Sequence, residues 1–336
     1  MPRHLLKLSV VALTLSFALV RPLWAQAEPP QQAEGAATTR PAAQGEDTRF
    51  LRFTGDGTKG GFLETSDTTY KNKDGVSVRL VAVVHIAEPA YYDDIQQSFE
   101  KCDAVLYEMV KPRGSGVPEK GAHSDNPIHR LQVFMKDTLG LSFQLDEIDY
   151  SKPNFIHADM DAETFEQLQQ QRGESLASLM IQQIMKSMSD PGAVKQYDDE
   201  PADLVDFMTR PDGDRQLKLI LGRRLGDIEK EAAGINMLNG TVILTERNKT
   251  VMKAFDAAVK DGKKNIAIFY GAAHMPDLSK RVRDMGFKVA GPVEWKPAWD
   301  LHIRADQPSA VEKLLNDFID AIDEPAEKPA KPDGVF

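Results

Sequence analysis

One cysteine, Cys102, occurs among 336 residues. An internal disulfide is therefore excluded, as is a metal site built from paired thiolates, and the fold must be held by its core alone. Long apolar runs are scarce too. The one near the N-terminus, residues 8–20, falls short of the roughly 20 residues that a membrane-spanning helix needs, and no other stretch could cross a bilayer. The chain lacks Gly-x-Ser-x-Gly, a Gly-rich phosphate loop ending in Lys-Ser or Lys-Thr, and His-Glu-x-x-His. An elbow-borne serine nucleophile, a phosphate cradle and a helix-borne zinc pair are thereby set aside. Positive charge is in deficit, with 41 Lys and Arg against 51 Asp and Glu, which disfavours nucleic acid and anionic lipid as partners.

What is present begins with Arg3 and Lys7, the short apolar run and Ala25-Gln26-Ala27. This order predicts a secretory signal peptide over residues 1–27 and an exported chain, periplasmic or extracellular, with no membrane anchor after cleavage. Its removal takes Arg3, Lys7 and Arg21, so 41 cations become 38 against 51 anions, a balance of −13. Residues 28–46, rich in Pro, Ala, Gln and Thr, read as a disordered linker. One folded unit is expected over 47–304. An amphipathic helix follows over 305–323, where Val311, Leu314, Leu315, Phe318 and Ile319 recur at helical spacing, and then a disordered tail over 324–336.

Inside the folded unit, residues 76–84, 104–107 and 265–270 are nearly continuous in apolar side chains. Such runs suit strands buried on both faces of a largely parallel sheet. Residues 89–100, with Tyr92, Ile95 and Phe99 on one side, predict a crossover helix between the first two. Val251, Ala254, Phe255 and Ala258 mark a helix before the third, ended by Asp261-Gly262. A further helix over 276–285 and a strand over 287–290 come next. Residues 161–234 are helical by pattern and read as an insertion covering an edge or mouth of the sheet. The expected class is α/β, a largely parallel central sheet flanked by helices, with a helical insertion.

Ligand-binding groups in open parallel sheets gather beyond the carboxyl ends of the strands. His85 closes Val-Arg-Leu-Val-Ala-Val-Val-His, Glu108 closes Ala-Val-Leu-Tyr-Glu, and His274 follows Ile-Ala-Ile-Phe-Tyr-Gly-Ala-Ala-His. Two neutral imidazoles and a carboxylate suit a divalent ion of the zinc, manganese or cobalt type, with coordination positions left for water. Hydrolysis of a peptide or small acyl substrate is the reaction such a site makes easiest. Taken singly, each residue also fits a plainer role, a hydrogen-bonded strand-end histidine or an ordinary ion pair. Gly271 would permit a tight turn and close approach of metal or substrate. Glu246-Arg247-Asn248 heads the helix, so Arg247 would clamp a substrate carboxylate, hold Glu108 or form a surface pair, and Glu246 would position substrate or transfer a proton. The alternative is a non-catalytic protein that binds a peptide, a haem-like cofactor or an iron ligand in the same crevice.

The order of a His-ended strand, Cys-Asp-Ala-Val-Leu-Tyr-Glu, Glu-Arg-Asn at a helix head and Gly-Ala-Ala-His resembles the TraB/GumN/TIKI family over about residues 77–291. The resemblance implies an α/β core related to the ChaN and erythromycin-esterase folds and, in the TIKI branch, a divalent-metal-dependent peptidase that trims extended N-terminal segments. The family's two Gly-x-x-His motifs fall on Ala82 to His85 and on Gly271 to His274, its strand-end glutamate on Glu108, and its Glu-Arg pair on Glu246 and Arg247. The first motif departs from the pattern, with Ala82 in place of glycine. His157-Ala158-Asp159 would supply an acid behind the ligands or a further ligand, loop capping by Asp159 being the plainer role. His123 and His129, in or just after a Gly- and Pro-rich stretch, are not placed at the metal. Met180, Met185 and Met188, with Leu176, Leu179 and Ile184, form an apolar face suited to core packing or to an extended peptide.

Overall fold

The computed structural model describes residues 49–56, 60–117, 139–174, 213–228 and 240–302. Its described strands are β1 (Leu51–Asp56), β2 (Gly60–Lys71), β3 (Ser77–Val83), β4 (Ile86–Ala87), β5 (Ala104–Tyr107), β6 (Ser142–Phe143), β7 (Phe155–His157), β8 (Asn265–Gly271), β9 (Lys288–Val289) and β10 (Glu294–Asp300). The described helices are α1 (Pro89–Ser98), α2 (Gln144–Glu147), α3 (Ala162–Arg172), α4 (Gly213–Ile228), α5 (Arg247–Lys260) and α6 (Met275–Asp284). None of the described helices is long and apolar enough to cross a membrane.

The three continuously apolar runs become β3, β8 and β5, side by side in that order and parallel, with β7 parallel to β5 beyond them. The last strand in sequence of the three thus lies between the other two. Successive side chains point to opposite faces. Val81, Val83, Val105, Tyr107, Ala267 and Phe269 meet Tyr91, Tyr92 and Ile95 of α1 on one face. Val78, Leu80, Leu106, Ile266, Ile268 and Tyr270 meet Val251 and Phe255 of α5 and Leu278 and Val282 of α6 on the other. Burial is worth roughly 1.5–3 kcal/mol for each large side chain, against a strand-propensity range of about 1 kcal/mol, so packing sets the register. The fold is α/β, and its central strands are parallel.

Beyond β3 the sheet turns antiparallel, which the apolar pattern did not indicate. β2 pairs antiparallel with β1, β3, β9 and β10. Its residues Thr65, Ser66, Asp67 and Thr68 are polar yet buried. Partners distant in sequence satisfy two of them: the Thr65 and Tyr91 hydroxyls lie 2.8 Å apart, and the Asp67 carboxylate is bound by the Arg79 guanidinium, while the buried Ser66 hydroxyl makes no hydrogen bond among the described residues. The short strand expected over 287–290 is β9, joined to β2 rather than to the parallel half.

Of the expected insertion over 161–234, the described parts are α3 and α4. α3 begins at Asp161, whose carboxylate accepts the Thr164 N–H, and ends at Gly173 in the left-handed region. α4 packs against the antiparallel edge, where Gly222 and Gly226, one turn apart, leave no room for a side chain: a methyl on Gly226 would stand 2.4 Å from the Phe53 nitrogen. The expectations for the leader, the linker, the C-terminal helix and tail, His123, His129 and the apolar face over 176–188 lie outside the described residues.

Candidate functional site

Four neighbouring parallel strands, β3, β8, β5 and β7, end on one side of the sheet, and the chain just past each contributes to one cluster. β3 leads to His85, β8 ends in Gly271 with His274 one 3-10 turn later, β5 leads to Glu108, and Asp159 follows β7. α5 and α6 pack on the face that carries Tyr270. A single π-helical turn, Val242–Glu246, leads into α5 and brings Arg247 and Asn248 into its buried first turn.

Glu108 is the hub. Its Oε2 accepts the Gly271 N–H at 2.6 Å, its Oε1 accepts from Arg247 Nη2 at 2.7 Å, and His274 Nε2 stands 3.5 Å from Oε1. Burial pushes this carboxyl upward, but the Arg247 guanidinium, then His274 and His85, outweigh burial and hold it well below the usual carboxylate range. Arg247 is itself buried, with Nε at 3.0 Å and Nη2 at 2.5 Å from the two Asp159 oxygens. Burial alone would lower its pKa, and the Asp159 and Glu108 carboxylates raise it instead. The guanidinium is thus a permanent cation between two anions.

Gly271 serves space rather than a turn. Its φ of −52° and ψ of 141° suit any residue, which corrects the tight-turn expectation. A methyl placed there would stand 3.2 Å from Glu108 Oε2, 3.3 Å from His85 Nε2 and 3.8 Å from His274 Cδ2. The missing side chain leaves a cradle between the three ligand candidates.

Both rings are held at Nδ1 by a side-chain amide. His274 Nδ1 lies 2.7 Å from Asn248 Oδ1, and His85 Nδ1 lies 2.8 Å from Gln144 Oε1. The Gln144 N–H also donates to the His85 carbonyl at 3.0 Å, and the Tyr92 hydroxyl donates to the Val84 carbonyl at 2.9 Å. In each ring Nε2 is therefore the nitrogen that faces the cradle, an orientation that metal-binding histidines commonly receive from a partner on the other nitrogen. His274 is buried and His85 half-buried, so His85 borders the open side.

Among the described residues no group of three or more His, Cys, Asp or Glu side chains is arranged to hold a metal ion. The donor chemistry nevertheless fits a divalent ion, with two imidazole rings and a carboxylate around the Gly271 cradle. With uncharged rings, Asp159 and Glu108 against Arg247 leave one net negative charge for a cation to offset.

Glu246 stands apart from these contacts. Its carboxylate is bound by Lys249 at 2.9 Å and Arg172 at 2.6 Å, in that order the causes that outweigh its slight burial and lower its pKa. This geometry gives no support to a proton-transfer or substrate-positioning role for Glu246. Arg247 holds Glu108, one of its expected roles, rather than reaching outward to substrate. His157 is structural, with Nε2 at 2.6 Å from the Met109 carbonyl. Asp159 does cap locally, accepting the Met160 N–H at 2.7 Å, but it also anchors Arg247. Cys102 is buried before β5, at the end of that strand opposite Glu108, with an Arg79 N–H 3.6 Å from its sulfur.

Sequence reasoning missed Asn248, Gln144 and Tyr270. Asn248 sits in the Glu-Arg-Asn triplet and was legible as a neighbour of Arg247. Tyr270 donates to the Ala158 carbonyl at 2.7 Å and sets its ring edge-on to His274 at 5.2 Å. Gln144 follows a two-residue strand and carries no motif. Comparison of the chain with family models, with curated proteins and with solved structures yields no match.

Proposed function

We propose that this chain is an exported hydrolase of peptide or other acyl bonds that depends on a divalent ion held by His85, His274 and Glu108. The observation that carries the reading is the convergence of His85 Nε2, the Glu108 carboxylate and the edge of the His274 ring on the space beside Gly271, with His274 Nε2 3.5 Å from Glu108 Oε1. The resemblance to the TraB/GumN/TIKI family supports it, and with it a ChaN- and erythromycin-esterase-like fold. The segment from Arg3 to Ala27 supports export.

When bound, a divalent ion polarises a carbonyl and lowers the pKa of its water. The chain's own residues have separate tasks. Arg247 and the Gly271 N–H fix the Glu108 carboxylate in place and in its charged form, so Glu108 is suited to a constant negative charge and not to carrying protons near neutrality. Asn248 and Gln144 orient the two rings. His85, half-buried, borders the opening through which a carbonyl would enter. Gly271 keeps the reacting space free of a side chain.

The test is metal analysis of the purified mature protein beside His274→Ala, with hydrolysis of a peptide library followed after chelation and after return of zinc, manganese or cobalt. Loss of turnover on chelation and recovery with an ion is expected. The second reading, a non-catalytic binding protein of the same fold, is favoured by one observation: both Glu108 oxygens already accept from donors, Arg247 and Gly271. Ligand retention without turnover under any of the three ions would select it.

A further inference from the structure

We infer that Asn248 is a positioning residue that locks the His274 imidazole in the tautomer with its proton on Nδ1, so that Nε2 offers a lone pair toward Glu108 and the Gly271 cradle. The tautomer does not depend on a metal. Its use, a lone pair presented to an ion, rests on the hydrolase reading.

The Asn248 amide has one tenable orientation. Asn248 is fully buried. Its Nδ2 faces two groups that only accept, the His274 carbonyl at 3.2 Å and the Asp277 carboxylate at 2.8 Å. Rotating the amide by half a turn would set its oxygen against both, three acceptors with no proton between them in a site without water's compensation. The orientation is thus fixed, and Oδ1 lies on the other side, 2.7 Å from His274 Nδ1. An amide oxygen cannot donate, so Nδ1 must carry the proton. In the uncharged ring Nε2 then has the lone pair.

The lock is itself anchored. Asp277 Oδ2 also accepts from Arg281 Nε at 2.7 Å, one turn further along α6. His274 Nδ1 thus donates to Asn248, Asn248 donates to Asp277, and Asp277 is held from its other side by Arg281. His85 has no equivalent. Its partner Gln144 donates to the Tyr150 hydroxyl at 2.9 Å, a group that either donates or accepts, so both orientations of that amide would find a partner. Two similar imidazole–amide pairs therefore differ in kind, one locked and one reversible.

The experiment is long-range proton–nitrogen correlation NMR of the full-length, nitrogen-15-labelled protein, stripped with chelator and held at alkaline pH. In the wild type His274 should show a protonated Nδ1 and a bare Nε2. Asn248→Leu should abolish that preference. Should Asn248→Leu fail to fold, Asp277→Ala, at a partly exposed position, carries the test: it should give a mixture of tautomers, and Asp277→Asn, whose side-chain oxygen still accepts from Asn248, should not. A purely structural Asn248 would change stability in these variants and leave the tautomer where it was. The inference is overturned if Nε2 carries the proton in the wild type, or if Asn248→Leu and Asp277→Ala leave the His274 pattern unchanged. Titration with zinc alone gives a separate reading: Asn248→Leu should bind it about 10–100-fold more weakly. A wild type with the expected tautomer that takes up no zinc, manganese or cobalt would sink the metal reading and leave the tautomer lock standing.

Discussion

The Glu108 carboxylate and the Gly271 N–H lie 2.6 Å apart, so the ends of β5 and β8 are tied through a side chain just past their last backbone bond, Glu108 N–H to the Phe269 carbonyl. The sheet and the cluster are thereby one structure. Packing that fixes the register of β5 against β8 also fixes Glu108 beside Gly271, and any change at Gly271 is felt by Glu108 and His85 before it is felt by the backbone.

Gly271→Ala should therefore fold and fail to load. Alanine adopts φ −52°, ψ 141° without strain, and the shift from glycine favours folding by roughly 0.4–1 kcal/mol through the unfolded chain. Against this, the new methyl would press on Glu108 Oε2 and His85 Nε2. Thermal melting should move by a few degrees only, while divalent-ion affinity should fall by at least about tenfold, or about 1.4 kcal/mol. Full affinity in the alanine variant would show that the cradle is not the binding space.

Glu108→Gln keeps the shape and removes the charge that faces Arg247. Breaking a buried pair costs about 3–5 kcal/mol, and Asp159, still paired with Arg247, should keep the loss near the lower end. The pH dependence follows from the depressed pKa of Glu108. A carboxyl whose folded pKa lies below its unfolded value, about 4.3, stabilises fully above that value and loses its contribution as pH falls through the folded one. The stability gap between wild type and Glu108→Gln should be flat above about pH 5.5 and narrow in stronger acid. Urea titrations at stepped pH decide it: a gap as wide at about pH 3 as at about pH 7 would contradict the pinned anion.

Arg247→Lys separates a buried clamp from a substrate contact. An ammonium cannot reproduce a planar fork held by two carboxylates, so about 2–4 kcal/mol of stability should be lost, and metal affinity with it, since Glu108 loses its anchor. A variant with full stability and full metal content that bound substrate poorly would return Arg247 to substrate recognition.

Cys102→Ser should cost less than about 2 kcal/mol and leave metal content alone. The serine oxygen can accept from Arg79 as the sulfur does, and the residue lies at the far end of β5 from the cluster. Loss of metal in that variant would require a link across the sheet that no described contact supplies.

Three strands were legible in the sequence because burial on both faces leaves a continuous apolar run, as in Ile266 to Tyr270. β2 was not, because Thr65 to Thr68 are polar and their burial depends on partners far off in sequence, Tyr91 and Arg79. β10 was hidden by Pro297, which sits where its register shifts. At the site, His85, Glu108 and His274 could be read from their place at strand ends. Asp159 could be read as an acid behind the ligands or a loop cap but not as the anchor of Arg247, and Gln144 not at all, since those roles are set by where β7 lies beside β5 and where α2 lies beside His85, facts of topology that local spacing does not hold. Glu246 was adjacent to the right residue and faces the other way.

The most direct test of the shared centre is metal stoichiometry, with hydrolysis rate beside it, in His85→Ala, His274→Ala and the double variant. Residues that act as one unit are strongly non-additive. Either single substitution should release the ion and abolish turnover, with the double variant hardly worse. If both single variants keep a full complement of metal, or if their effects on rate multiply as independent sites would, His85 and His274 do not hold one ion and the hydrolase proposal is wrong.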